Sequence, residues 1–145
     1  MAALRLVIDT NVLISAAVSA QGAPAQLLHT VLSEHQLVFS QVTFGELRTR
    51  IYRPKFDRYI SLENRQRLLH DLSACAHWVG GLPPGTSPPA YCRDPDDDYF
   101  VATALEAQAP LLVSGDRDLL DAVPVPGLLV LAPAPALVWL QTPRA

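Results

Sequence analysis

With 145 residues, 50% hydrophobic and 17% charged, the chain has apolar surface for one buried core and no room for a second, so residues 1–145 are expected to form a single domain. No apolar run approaches the roughly 18–20 residues that cross a bilayer, and the N-terminus lacks a basic stretch leading into an apolar segment and cleavage site; no membrane partner and a cytoplasmic location are expected. The net charge of −3 opposes bulk attraction to nucleic acid, but seven of the eleven cationic residues fall between Arg48 and Arg67, and seven of the fourteen acids are aspartates between Asp94 and Asp121.

The apolar run Leu4–Ile8 reads as a strand ending at Asp9, and Thr10 and Asn11 open a helix-compatible stretch through Val18. After the turn at Gly22, helical spacing places Leu27, Leu28, Val31 and Leu32 on one stripe, which suits a core or a partner helix. Leu37–Phe39 is a brief strand. Ser40 and Thr43 are both fitting N-caps for a helix through about Tyr52 that carries Glu46. Leu62–Ala76 is amphipathic and helical, Trp78–Val79 is a short strand, and the Gly- and Pro-rich 80–89 segment is a loop. Asp96–Ala109 is an Ala-rich helix, Leu111–Val113 a buried strand, 114–118 a turn into a short helix, Leu128–Leu131 a last strand and Ala134–Leu140 a terminal helix. Trp139 on that helix suits either the core or a contact with a second copy in a homodimer. Short apolar strands alternating with helices predict a three-layer α/β/α sandwich around a parallel sheet of about four to five strands. Cys75 and Cys92 are too few and too far apart for a stapling framework or a zinc site, and are expected as thiols.

In an open parallel sheet, ligands gather beyond the carboxyl ends of the strands. Asp9 follows the first strand directly, Asp116 follows Leu111–Val113 by three residues, and Glu46 and the Asp96–Asp98 run lie on helices that open near the same rim. Taken singly, each has a structural use: Asp9 as a helix cap, Glu46 as a solvated side chain, the Asp run as helix N-terminal charge, Asp116 and Asp118 as turn formers beside Gly115. Taken together, like charges this close repel unless a cation joins them, and hard oxygen donors suit Mg²⁺ or Mn²⁺.

Four blocks carry a resemblance: Ile8–Leu13 (Ile-Asp-Thr-Asn-Val-Leu), Phe44–Leu47 (Phe-Gly-Glu-Leu), Asp94–Ala104 (Asp-Pro-Asp-Asp-Asp-Tyr-Phe-Val-Ala-Thr-Ala) and Val113–Leu120 (Val-Ser-Gly-Asp-Arg-Asp-Leu-Leu). In order and spacing they resemble the PIN-domain family, and within it the toxin components of bacterial toxin–antitoxin pairs. The resemblance implies metal-ligating, catalytic carboxylates at Asp9, Glu46, Asp98 and Asp116. Asp98 is taken as the third for its eighteen-residue spacing to Asp116, with Asp94, Asp96 and Asp97 as adjacent alternatives and Asp118 as a further ligand. Asn11 and Ser114 resemble the supporting polar residues. The implied activity is in-line attack of water on an RNA phosphodiester, leaving 5′-phosphate and 3′-hydroxyl ends, and the implied partners are an RNA substrate and an antitoxin protein.

Arg48, Arg50, Arg53 and Lys55 are the expected phosphate-contacting flank, although the same run also suits the wet face of two helices. Two other functions compete: an RNA-binding protein without turnover, and a Toprim-like phosphotransfer domain built on Glu46 and the Asp116–Asp118 pair. The second of these leaves the Asp9 and Asp94–Asp98 blocks without a role.

Overall fold

The computed structural model describes residues 2–142. Five parallel strands, β1 (Arg5–Ile8), β2 (Gln36–Phe39), β3 (His77–Trp78), β4 (Leu111–Val113) and β5 (Leu129–Leu131), form one sheet in the order β3-β2-β1-β4-β5. Leu6 lies opposite both Leu37 and Leu111, and Ile8 opposite Val113, so β1 occupies the centre. The helices are α1 (Thr10–Val18), α2 (Ala23–Glu34), α3 (Gln41–Arg50), α4 (Leu62–Cys75), α5 (Asp98–Glu106), α6 (Arg117–Leu120) and α7 (Pro133–Gln141), with 3₁₀ turns at Pro54–Phe56 and Pro95–Asp97.

The strands are apolar on both faces because both are covered. Leu6, Ile8, Leu37, Phe39, Leu111 and Val113 pack against α1, α2, α3, α4 and α7. Val7, Val38 and Leu112 point the other way, onto Phe100, Val101 and Ala104 of α5 and Leu119 of α6. The result is the expected α/β/α sandwich. The α2 stripe belongs to this core: Leu27, Leu28 and Val31 are buried, and only Leu32 is exposed. On α7, Leu140 is buried whereas Val138 faces solvent.

Chain order places the functional rim. From β1 the chain steps outward to β2 and β3, then returns across the sheet through α5 to pair β4 with β1 on its free side. The direction of winding reverses between β1 and β4, and the loops leaving these two strands diverge to opposite faces, opening a crevice at their carboxyl ends. Asp9 and Asp116 sit at that crevice.

One helix departs from expectation. The Ala-rich helix begins as a 3₁₀ turn over 95–97 and ends at Glu106, short of Ala109. Gln108 adopts a left-handed φ of 56°, the amide of Ala109 bonds back to the carbonyl of Ala104 at 2.9 Å, and that of Gln108 to Leu105 at 3.1 Å. This six-to-one closure satisfies the last carbonyls and turns the chain into β4 without glycine. No glycine marks the stop after Glu106, so the helical pattern reads on to Ala109, where Pro110 ends it. Both cysteines are free thiols, as expected, and among the described residues no helix is long and apolar enough to cross a membrane.

Candidate metal centre

Asp9 does two things at once. One oxygen, Oδ1, caps α1 by accepting the amide of Val12 at 2.9 Å; the other, Oδ2, accepts the hydroxyl of Ser114. The capping expected from its place before Thr10 is therefore real, and it fixes the carboxylate at the strand end. Only 4% of Asp9 is exposed. Burial raises its pKa, the bonds from Ser114 and Val12 oppose that rise, and the charges of Asp116 and Glu46 add to it.

Ser114, fully buried at the end of β4, also accepts the backbone amide of Asp116 at 2.9 Å. It thereby sets the turn that presents Asp116. Asp116 caps α6 through Oδ1, which accepts the amide of Asp118 at 2.9 Å.

Glu46 arrives on α3. That helix starts at Ser40, whose Oγ accepts the amide of Thr43 while the Thr43 hydroxyl accepts the amide of Ser40, a reciprocal cap. The Ser40 hydroxyl reaches Thr103 of α5 at 2.9 Å, which ties the two helices together in a buried polar contact. Glu46 then extends to Thr10, whose hydroxyl donates to Oε2 at 3.0 Å, and to Arg50, whose guanidinium lies 2.6 Å from Oε1. Thr10 was not singled out as a site residue from the sequence, although it sits inside the Asp9-Thr10-Asn11 block.

The structure divides the acidic run differently from the sequence reading. Asp98, expected as the third ligand, turns away from the cleft: its Oδ1 accepts the amides of Tyr91 and Cys92 at 2.9 and 2.6 Å and anchors the incoming loop to α5. Asp97 faces the cleft instead, one step earlier on the 3₁₀ turn. The eighteen-residue spacing favours Asp98, but a single residue of helical rotation decides which carboxylate faces inward, and Asp97 is the one that lines the cleft. Asp94 accepts the amide of Asp96 at 3.0 Å and stays exposed, as does Asp96.

Asp9, Thr10, Asn11, Glu46, Arg50, Asp97, Phe100 and Asp116 line one cleft. Asp97 is only 8% exposed and its Oδ2 is buried with no hydrogen-bond partner. Burial, then the charges of Asp116, Asp94, Glu46 and Asp118, push its pKa up to about 7. An orphaned carboxylate oxygen among other carboxylates is what a bound divalent cation satisfies, and the all-oxygen donor set fits Mg²⁺ or Mn²⁺. Cys92, beside Asp98, Asp97 and Asp118, is held as a thiol: burial first, then its contact with Asp98 and the neighbouring charges, move its pKa to about 12. It offers neither a nucleophile nor a soft ligand at neutral pH.

The basic segment splits by role. Arg50 alone of the expected flank lines the cleft. The Arg48 guanidinium lies 6.0 Å from the Phe44 ring centre, Lys55 lies 5.1 Å from that of Phe56, and Arg53 is exposed. Arg65 is structural: 1% exposed, it bonds the carbonyl of Ile60 at 3.1 Å and Asp57 at 3.0 Å.

Comparison with known proteins gives the family and the fold. The uncharacterised protein MJ1680 of Methanocaldococcus jannaschii is 32% identical over 119 residues, which is 81% of this chain and 74% of that protein. PAE2754 from Pyrobaculum aerophilum shares the fold with a TM-score of 0.56 at 13% identity, over 96% of this chain and 91% of its own. VapBC2 from Rickettsia felis, solved bound to a promoter DNA fragment, gives 0.54 at 14% identity, over 88% and 97%. FitAcB from Neisseria gonorrhoeae gives 0.53 at 18% identity, over 89% and 98%. Residues 5–118, from the first residue of β1 past every carboxylate of the cleft, match the PIN domain family, and the chain belongs to it.

Proposed function

We propose that the chain is a Mg²⁺- or Mn²⁺-dependent endoribonuclease, with Asp9, Glu46, Asp97 and Asp116 holding the ion and Asp97 replacing Asp98 in the ligand set expected from sequence. The observation that carries this reading is the unpartnered, buried Oδ2 of Asp97 in a cleft lined by three further carboxylates at the switch point of the sheet. A bound divalent cation supplies charge neutralisation at the scissile phosphate and acidifies the attacking water.

The protein's own residues set the geometry. Ser114 orients Asp9 and the Asp116 turn together, and Thr10 holds one oxygen of Glu46. Arg50, at the mouth, provides a guanidinium for a phosphate oxygen of the strand, and Arg48, Arg53 and Lys55 extend that positive flank along the RNA. Water adds to phosphorus as the 3′-oxygen departs and takes up a proton, which leaves 5′-phosphate and 3′-hydroxyl ends without a covalent protein intermediate.

We further read the chain as the toxin component of a toxin–antitoxin pair acting in the cytoplasm. The sequence resemblance to such toxins supports this, alongside the fold shared with VapBC2 and FitAcB. Purified protein with Mn²⁺ is expected to cut a panel of structured and single-stranded RNAs, and Asp9→Asn or Asp116→Asn to abolish cutting. Intact RNA with wild-type protein, or unchanged cutting by both variants, overturns the nuclease reading. Growth arrest on expression, relieved by the product of an adjacent gene, tests the antitoxin clause.

A further inference from the structure

A cavity of about 240 Å³ opens beside the metal cleft, between α3 and the segment that enters α5. It shares Glu46, Arg50 and Phe100 with the cleft, so a group seated in it adjoins a phosphate held at the metal. Its size is below the roughly 300–1,000 Å³ of sites for drug-sized ligands and suits a single planar base. Val42, 50% exposed on the first turn of α3, and Tyr99, half-buried and without a ring partner among the described residues, supply apolar and aromatic surface. Phe100, buried, completes that lining.

Most polar groups of the cavity are already engaged: the Thr43 hydroxyl with Ser40, and the Arg50 guanidinium with Glu46. Asp96 is the exception. Its amide donates to Asp94, but its carboxylate has neither an ion-pair nor a hydrogen-bond partner among the described residues. Charge at a helix start explains an acid at this position, but not one that borders an aromatic cavity beside the cleft. An acid repels the phosphates of a strand, so its use there is toward a base. An ionised carboxylate offers two acceptor oxygens and no donor. Guanine presents two adjacent donors, N1–H and the N2 amino group. Cytosine and adenine each present one amino group beside an acceptor, and uracil one N–H between two carbonyls. The order of fit is guanine, then cytosine or adenine, then uracil.

We propose that this cavity is a base subsite, in which Asp96 accepts N1–H and the N2 amino group of a guanine adjoining the scissile phosphate while Tyr99 and Val42 cover the ring. The proposal rests on the ribonuclease reading of the cleft and deepens it. The substrate is RNA that is unpaired at the cut, because a base held in a duplex does not present this edge to a side chain. Contact with the aromatic ring gives affinity for any base; Asp96 gives the preference.

The test compares a short oligouridine strand carrying one central guanosine with the same strand carrying adenosine, cytidine or uridine there. Binding to the full chain is read by fluorescence anisotropy in chelator, and the cut positions by sequencing the products formed with Mn²⁺. The guanosine strand is expected to bind more tightly than the uridine strand, and to be cut beside the guanosine, by about 5-fold to 150-fold, the worth of a good two-bond base contact. Asp96→Asn, at an exposed position, replaces one acceptor with a donor. The guanosine preference should then be lost and the adenosine and cytidine strands should gain, a change that a merely structural role does not produce. Annealing the guanosine strand to its complement should protect it. Equal binding and cutting of the guanosine and uridine strands, an unchanged preference in Asp96→Asn, or equal cutting of the duplex overturns the subsite. RNA cut without base preference leaves the proposed function standing and removes only this inference. Guanosine-selective binding that Asp96→Asn abolishes, without any cutting, keeps the subsite and removes the nuclease reading; if no strand is bound or cut, both fall.

Discussion

Ser114 and Asp9 are separated by 105 positions in the chain and joined by one buried hydrogen bond, from the Ser114 hydroxyl to Asp9 Oδ2. The same hydroxyl accepts the amide of Asp116, so a single side chain sets the relation between the carboxylates at the ends of the two central strands. Ser114→Ala removes both bonds from a fully buried position. We expect Mn²⁺ affinity to fall by about 10–100-fold, as when the outer partner of a metal ligand is lost. Stability should fall by about 1–3 kcal/mol, because the amide of Asp116 loses its acceptor. Calorimetric titration with Mn²⁺ and thermal denaturation in chelator read the two effects separately; unchanged Mn²⁺ affinity removes Ser114 from the support of the site.

Asp97 and Asp98 are neighbours with opposite predicted phenotypes. Asp98→Ala leaves the amides of Tyr91 and Cys92 without their acceptor and should cost on the order of 2–4 kcal/mol of stability, with little change in Mn²⁺ affinity for the protein that remains folded. Asp97→Ala should cost little stability in chelator and abolish tight Mn²⁺ binding. Denaturant melts paired with Mn²⁺ titrations distinguish them, and the reverse pattern would return the ligand role to Asp98.

The Arg50 guanidinium lies 2.6 Å from Oε1 of Glu46. A guanidinium at that carboxylate competes with a metal for it but favours a phosphate. Arg50→Ala is therefore expected to tighten Mn²⁺ binding by about twofold to fivefold, the scale of a partly exposed ion pair. RNA cleavage should be weaker through KM. Weaker Mn²⁺ binding in this variant would mean that Arg50 organises Glu46 for the metal and does not compete with it.

The pKa of Asp97 sets a pH dependence with a definite sign. Its folded value of about 7 lies above the ordinary 3.8, so the native state binds this proton more tightly than the unfolded chain does. The contribution is present in full below about pH 4 and is lost as pH rises to about 7, so metal-free stability should fall across that window. Asp9, also shifted upward, acts in the same direction. Asp97→Asn should flatten the fall, and saturating Mn²⁺ should reverse it, because cation binding displaces the proton. Melting temperatures of wild type and variant in chelator, taken at intervals across the window, provide the check; parallel curves count against the shift.

The sequence by itself determined the layered fold and the segments that meet at the cleft. Strands such as Leu111–Val113 are continuous apolar runs because both sheet faces are covered, and an acid directly after such a run must lie at the rim; this made Asp9 and Asp116 legible. Glu46 and the Asp94–Asp98 block were legible as motif. The tertiary structure decided everything that depends on a side chain's direction. Asp97 faces the cleft and Asp98 the loop because they differ by one step of helical rotation, a distinction that pattern and spacing do not carry. Thr10 earned its place through contact with Glu46, 36 positions away. Arg50 entered the cleft while Arg65, equally basic in sequence, was buried against Ile60 and Asp57. Composition determines which charges a segment contains; packing determines which of them meet.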